Sequence, residues 1–470
     1  MEHFSQKGEV SRPETQIPRN EASGRCAIWD DVLMADPTAL GVVEAIERLG
    51  SGELTAVELV EACLDRITAT DGALEAWTTV DATGALAHAR ARDADRREGR
   101  PPGSLHGIPI GVKDIIDVAG LRTTSGAPAF AHTHPTSDAA LVARLGAAGA
   151  VIVGKTVATQ FAYLDPGPTR NPWALDHTPG GSSSGSAAAV AARHVPAAIG
   201  TQTIGSILRP AAYCGVVGLK GEHGAVPLAG VRLLAPSLDH AGVLARSVAD
   251  AALVESVLLD RPLHVDREVS PPRIAIVEAL LDRADGPLRS HLDGVVAALA
   301  NAGATIVEVT LPSSLDAVLE AGITVLEAEA ATEHRELYAR NAAAYAPKMA
   351  ALVEAGLRRT PDEIAAAQRQ RAAFRDAVRP WLAGFDALLS PVASGPAPLL
   401  GGGTGDPTLC APWSYASVPS IAIPTGLDAD GLPLAIQLTG GTGRIEALLG
   451  AAAWCERVVR FDARPPSVGQ

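Results

Sequence analysis

Two serine clusters framed by glycine stand close together in this chain, Gly180–Gly185 (GGSSSG) and Gly205–Ser206, linked by an alanine-rich run and a short apolar run. Glycine serves where backbone must turn sharply or approach another group closely. Hydroxyls set among such glycines, with spare backbone N–H groups beside them, are the parts of an acyl-transfer site. The nucleophile in such a site needs a base. Lysine is scarce here, limited to Lys7, Lys113, Lys155, Lys220 and Lys348. Lys113 ends the run Gly107–Lys113 (GIPIGVK) and has Ile108, Ile110, Val112, Ile115 and Ile116 as neighbours. A lysine at a strand end is ordinarily solvated. These neighbours favour burial instead, and a desolvated ammonium gives up its proton more readily. Lys113 is the base the sequence offers.

Two other patterns compete for attention. Gly149–Thr156 (GAVIVGKT) matches the phosphate-loop spacing, but a helical pattern precedes it and Ala-Val-Ile-Val reads as the strand itself. Gly181–Gly185 (GSSSG) matches the nucleophile-elbow spacing, which needs an apolar strand immediately before it. Asn171–Pro179 (NPWALDHTP) is no strand, and His194, His223 and His240 read as structural or surface histidines. An α/β-hydrolase therefore ranks behind, and metal hydrolysis behind that, since neither HExxH nor a clustered ligand spacing occurs.

The elements that must hold these residues alternate. Helices are expected over Pro37–Leu49, Thr55–Thr68, Ala82–Glu98, Ser137–Leu145 and Arg444–Val458; the second opens on a capping box, Thr55 to Glu58. Strands are expected at Gly107–Lys113, Ala150–Val153, Val195–Ile199, Val216–Leu219, Ile274–Val277, Thr305–Val309, Ala387–Leu389, Ser420–Ile423 and Leu434–Leu438. Between Leu315 and Val378 the strand signal vanishes into a helical region suited to covering one side of a pocket, and Gly401–Gly405 reads as a flexible loop. Alternation of this kind argues for an α/β fold with a layered sheet in a single domain, 28–470, behind a loose polar arm over 1–27.

Composition bounds the rest. The 470 residues are 47% apolar and 20% charged, which describes a globular protein with ample core. A net charge of −14 argues against nucleic acid as a partner. The five cysteines, Cys26, Cys63, Cys214, Cys410 and Cys455, form no CxxC and fit a reducing, cytoplasmic setting. No apolar run reaches the ~18 residues of a spanning helix, so no membrane partner is expected.

The combined motifs resemble the amidase signature family. Gly180–Gly185, then Gly200–Ser206 (GTQTIGS), then Cys214–Lys220 (CGVVGLK) look like its signature. Gly107–Gly120, Ala148–Thr156, Ser237–Asp250, Ser420–Gly426 and Gly431–Leu438 resemble segments around it, so the similarity runs from about Leu40 to Val458. The resemblance implies a central mixed β-sheet flanked by helices on both faces, and a Ser-Ser-Lys triad. Ser206 would be the nucleophile, Ser182 the bridging serine and Lys113 the base. The bridging serine of that family follows a cis peptide, here Gly181–Ser182. The N–H groups of Thr203, Ile204, Gly205 and Ser206 would hold the oxyanion. The substrate would be a small-molecule amide, with neither metal nor organic cofactor, and family precedent implies a monomer or homodimer.

The match has departures. The commonest family wording has Asp before the oxyanion loop, Gly-Gly-Ser around the nucleophile and Arg two residues beyond it; this chain has Gln202, Ile204, and Leu208 followed by Arg209. The N–H of Ile204 survives its change. The shifted Arg209 resembles the malonamidase branch, where an arginine so placed meets a substrate carboxylate, and a planar guanidinium suits such recognition in two-pronged form. Equally, Arg209 could anchor a helix or a buried acid. Two rivals to a free-standing amidase remain: the amidase component of a tRNA-dependent amidotransferase, which passes ammonia to a partner, and a catalytically inactive binding protein. The walls expected around the pocket are Phe130–Ser137, Phe161–Asn171, the Leu315–Val378 helices and Gly401–Tyr415.

Overall fold

Eleven strands share one sheet: β1 (Trp77–Val80), β2 (Pro109–Lys113), β3 (Val151–Thr156), β4 (Ala197–Gln202), β5 (Val217–Lys220), β6 (His240–Ala245), β7 (Arg273–Ile276), β8 (Thr305–Glu308), β9 (Ala387–Pro391), β10 (Ser420–Leu427) and β11 (Pro433–Thr439). Their spatial order is β1-β3-β2-β4-β6-β5-β10-β11-β9-β7-β8. The computed structural model describes residues 36–130, 134–263, 265 and 270–466. The arm expected over 1–27, with Cys26, and part of the expected wall Phe130–Ser137 lie outside the described residues. The chain divides into Met1–Asp36 and Pro37–Gln470, and every element named here belongs to the second unit.

The sheet is mixed. β3, β2 and β4 run parallel, as do β9, β7 and β8, while β6, β5, β10 and β11 join the two parallel blocks through antiparallel pairs. Every residue of β2 and of β4 is buried. That explains why both read as continuous apolar runs and not as alternating strands. Successive strand residues point to opposite faces. In β7, Ile274 joins one apolar cluster and Ala275 another; in β9, Ala387 and Leu389 join the first and Leu388 the second. The sheet is thus covered on both faces, as an α/β sandwich requires.

One face carries helices Val42–Ser51, Ala56–Leu74, Ala140–Ala147, Ser184–Ala191, Val248–Leu259, Gly286–Asn301 and Ile445–Val459. The expected capping box is present: Thr55 Oγ1 accepts from Glu58 N at 3.1 Å and Thr55 N donates to Glu58 Oε2 at 2.8 Å. That helix runs on to Leu74, beyond the Thr68 expected for it. The single helix expected over Pro37–Leu49 is instead a 3-10 turn, Pro37–Ala39, followed by Val42–Ser51. The break has a local cause at Gly41, where a Cβ would meet Asp250 Oδ2 at 2.5 Å while Asp250 accepts from Val43 N at 2.8 Å.

The other cluster is built from the expected helical region, resolved into Leu315–Asn341, Pro347–Arg358 and Pro361–Leu382. It packs with Phe161, Trp413, Tyr415 and Ile204, so these helices lean on the loop between β4 and Ser206. Cys63, Cys214, Cys410 and Cys455 are free and buried. Among the described residues no helix is long and apolar enough to cross a membrane.

Candidate active site

β2 delivers Lys113 at its buried C-terminal end, in register with Thr156 of β3 on one side, while Val112 pairs with Ile199 of β4 on the other. Lys113 is completely buried. Its Nζ lies 2.8 Å from Ser182 Oγ and 2.8 Å from Thr201 Oγ1, and it donates to the Thr201 carbonyl at 3.2 Å. Burial drives the amine well below the ordinary lysine range, and the negative charge of Asp239 acts in the opposite direction. An ammonium has three N–H donors, which these three oxygens match; the neutral amine has two and a lone pair for a hydroxyl proton.

The serine cluster is fastened to β4 atom by atom. The Gly181–Ser182 peptide is cis. Ser183 Oγ donates to Thr201 O at 3.1 Å and accepts from Thr201 N at 3.2 Å, and Ser186 Oγ donates to Ile199 O at 3.1 Å. Ser183 N donates to Ser206 O at 3.2 Å, which ties the two serine clusters together. Helix Ser184–Ala191 follows at once, and its small residues are all buried.

Ser206 is 4% exposed, at the end of the loop that leaves β4 after Gln202 and enters helix Leu208–Cys214. Among the described residues no backbone carbonyl engages the N–H groups of Ile204, Gly205 or Ser206. The side chain of Thr203 donates to Asp239 Oδ1, and Asp239 Oδ2 accepts from Leu234 N at 2.7 Å and Ala235 N at 3.0 Å. Burial pushes Asp239 up to about 6, against the pull of these donors and of Lys113. A small cavity lined by Ile115, Ala162, Thr201, Thr203 and Asp239 lies against this loop. Gln202, standing where the common family wording has an acid, accepts through Oε1 from Ile207 N at 2.9 Å and Leu208 N at 3.1 Å.

Arg209 is buried and acts as an anchor. Nε donates to Thr404 O at 2.6 Å, and Nη2 donates to Gly181 O at 2.8 Å and Thr404 Oγ1 at 3.2 Å. Its hydrogen-bond partners are carbonyls and a hydroxyl, not a buried acid. Nη1 alone is without a partner among the described residues, and it faces Gly205, whose added Cβ would lie 2.8 Å from it. The two-pronged carboxylate fork expected for Arg209 is therefore unavailable, because a fork needs two neighbouring nitrogens and Nε and Nη2 are occupied.

The competing patterns resolve by geometry. Lys155 of the phosphate-loop match sits in β3, buried, 3.0 Å from Asp114 Oδ1. Both hydrogen-bonding sides of the Ser183 hydroxyl are used by Thr201. His194 accepts from Trp77 Nε1 at 3.0 Å and shares a 2.7 Å bond with Thr70 Oγ1, so its ring is fully engaged. Among the described residues no group of three or more His, Cys, Asp or Glu side chains is placed to hold a metal. Sequence reasoning missed Thr201, Asp239 and Thr404. Thr201 and Asp239 lay inside segments already singled out, and an acid within the apolar run Leu238–Leu244 was the available signal for the second.

Fold and site together are those of an amidase. The model of the amidase family matches residues 58–449, and the chain belongs to that family. It is 36% identical to the amidase-type component of the glutamyl-tRNA(Gln) amidotransferase of Anaeromyxobacter sp. (strain K), over 91% of this chain and 98% of that one. A crystal structure of an amidase superposes with a TM-score of 0.84 at 33% identity, covering 89% of this chain and 100% of the other. The native peptide amidase from Stenotrophomonas maltophilia gives 0.78 at 31% identity, covering 92% and 99%. The protein is an amide-hydrolysing enzyme with the fold of these structures.

Proposed function

We propose that the chain cleaves a carboxamide C–N bond through an acyl-enzyme on Ser206, with Lys113 and Ser182 relaying the proton. The observation that carries this reading is the 2.8 Å contact between a completely buried Lys113 Nζ and Ser182 Oγ. Neutral Lys113 takes the Ser182 proton, Ser182 takes the Ser206 proton, and Ser206 Oγ attacks the carbonyl carbon. The N–H groups of Thr203, Ile204, Gly205 and Ser206 receive the oxyanion, each such donor being worth about 3 kcal/mol. The tetrahedral intermediate collapses with cleavage of C–N, and the relayed proton returns to the leaving nitrogen. Water then attacks the ester, gives its proton to the same relay, and releases the acid as Ser206 regains its hydrogen. Arg209 Nη1, facing Gly205, supports a small substrate bearing a carboxylate or another strong acceptor near the amide, met by one charged hydrogen bond.

The curated relatives favour a second reading of what happens to the nitrogen. In that reading the chain is the amidase component of a tRNA-dependent amidotransferase, ammonia passes to a partner, and a nucleic acid enters the assembly despite the net acidity. The departures at Gln202 and Leu208–Arg209 stand against it. A panel of primary, aryl and carboxylated amides, glutamine among them, assayed for ammonia or amine release with Ser206→Ala as the blank, tests the first reading. Glutaminase activity that appears only when partner proteins are added decides for the second. A protein that no fluorophosphonate labels at Ser206 and that releases nothing from any amide is neither.

A further inference from the structure

Gln202 takes no part in the proton relay, yet its side chain is completely buried beside it. It closes β4 immediately before the loop that carries Ser206. Oε1 accepts from Ile207 N and Leu208 N, the two residues just after Ser206, at 2.9 and 3.1 Å. Nε2 donates to Ser414 Oγ at 3.2 Å, in the buried helix Ala411–Tyr415. The orientation of the carboxamide is fixed by chemistry: backbone N–H groups only donate, so the atom facing them is the oxygen. One neutral side chain therefore ties the start of the loop to its end and moors both to a third element. Only Thr203, Ile204, Gly205 and Ser206 lie between the two attachment points, and Asp239 holds the first of them by its hydroxyl.

We propose that Gln202 is the positioning residue for the nucleophile, setting Ser206 and its adjacent N–H groups by holding Ile207 and Leu208 and taking its own position from Ser414. This rests on the assignment of Ser206 as nucleophile. A loop this short transmits a shift at its C-terminal attachment directly to Ser206, and a displacement of about 1 Å at a reacting atom can cost about 100-fold in rate. The carboxamide is suited to the position because it accepts at one end and donates at the other. A carboxylate of the same length keeps the acceptor and loses the donor.

The test is the second-order rate constant for labelling of Ser206 by a fluorophosphonate, with final labelling stoichiometry and melting temperature measured alongside. We expect Gln202→Ala to reach wild-type stoichiometry about 10- to 100-fold more slowly. Gln202→Glu, which keeps the acceptor, should fall between the two, and Ser414→Ala should be slowed in the same direction. A rate unchanged in Gln202→Ala overturns the proposal. Should that variant fail to fold, an unchanged rate in Ser414→Ala, which removes only the mooring, overturns it equally. Wild-type protein that hydrolyses amides but takes no label at Ser206 overturns the nucleophile assignment itself, and the positioning role falls with it.

Discussion

Arg209 Nη2 donates to the carbonyl of Gly181 at 2.8 Å, at the residue immediately preceding Ser182. The same nitrogen and Nε hold Thr404, so one guanidinium joins the first serine cluster to the Gly401–Gly405 loop. Arg209→Ala should therefore slow hydrolysis of neutral amides through the loss of this anchor. It should slow amides carrying a nearby carboxylate further, by about 10- to 100-fold more, the worth of a hydrogen bond to a charged group. Parallel kcat/KM measurements on a neutral and a carboxylated amide check this, and an equal loss on both removes Arg209 Nη1 from substrate recognition.

The buried amine of Lys113 fixes the direction of the pH dependence. Its proton affinity in the folded protein lies well below the ordinary value, chiefly through burial. Hydrolysis through the relay needs the neutral amine, so kcat should rise with pH through a limb below the usual lysine range and level off. Lys113→Met should abolish turnover at every pH. Stability has the same sign. Between the depressed folded value and the ~10.4 of an unfolded lysine, the unfolded chain binds more protons, so this group's contribution to unfolding free energy rises with pH across that window. Loss of the slope in Lys113→Met, followed by denaturant midpoints at several pH values, identifies the group.

Asp239 behaves in the opposite sense. Burial raises it to about 6, above the ~3.9 of an unfolded aspartate, so its contribution to stability is present at low pH and is lost as pH rises across that interval. Its charge also raises the proton affinity of Lys113. Asp239→Asn should move the rising limb of the pH–rate profile to lower pH. Its kcat should also fall, because an Asn Nδ2 cannot accept from Leu234 and Ala235 as Oδ2 does. A limb left where it was would separate Asp239 electrically from the base.

Thr55 offers a control remote from catalysis. It caps helix Ala56–Leu74 at an exposed position through the reciprocal bonds with Glu58. Thr55→Ala should cost about 1 kcal/mol of stability and lower the melting temperature. Labelling of Ser206 should be unaffected.

The site was more legible than its surroundings. Lys113 could be found because the apolar run before it is buried on both faces, and burial of a strand leaves a compositional trace. β6 left none: it opens on His240 and contains Gly242, where a Cβ would sit 2.2 Å from the Leu219 carbonyl, so close packing against β5 removed the side chain that marks a strand. β1 was equally silent, a four-residue edge strand. The role of Arg209 depended on Thr404, 195 residues away, and no local pattern could disclose that its fork was already taken.

Lys113 and Thr201 stand 88 residues apart in the chain yet face each other from neighbouring parallel strands. Parallel neighbours need a crossover, and the serine clusters lie inside this one or at its end. Until that crossover has docked, the lysine is hydrated and protonated and the serines are inert alcohols. Hydrolytic power thus arrives only with the finished sheet. A nascent or damaged chain carries every reactive atom and none of the reactivity, which makes amide turnover a direct readout of how many molecules have matured.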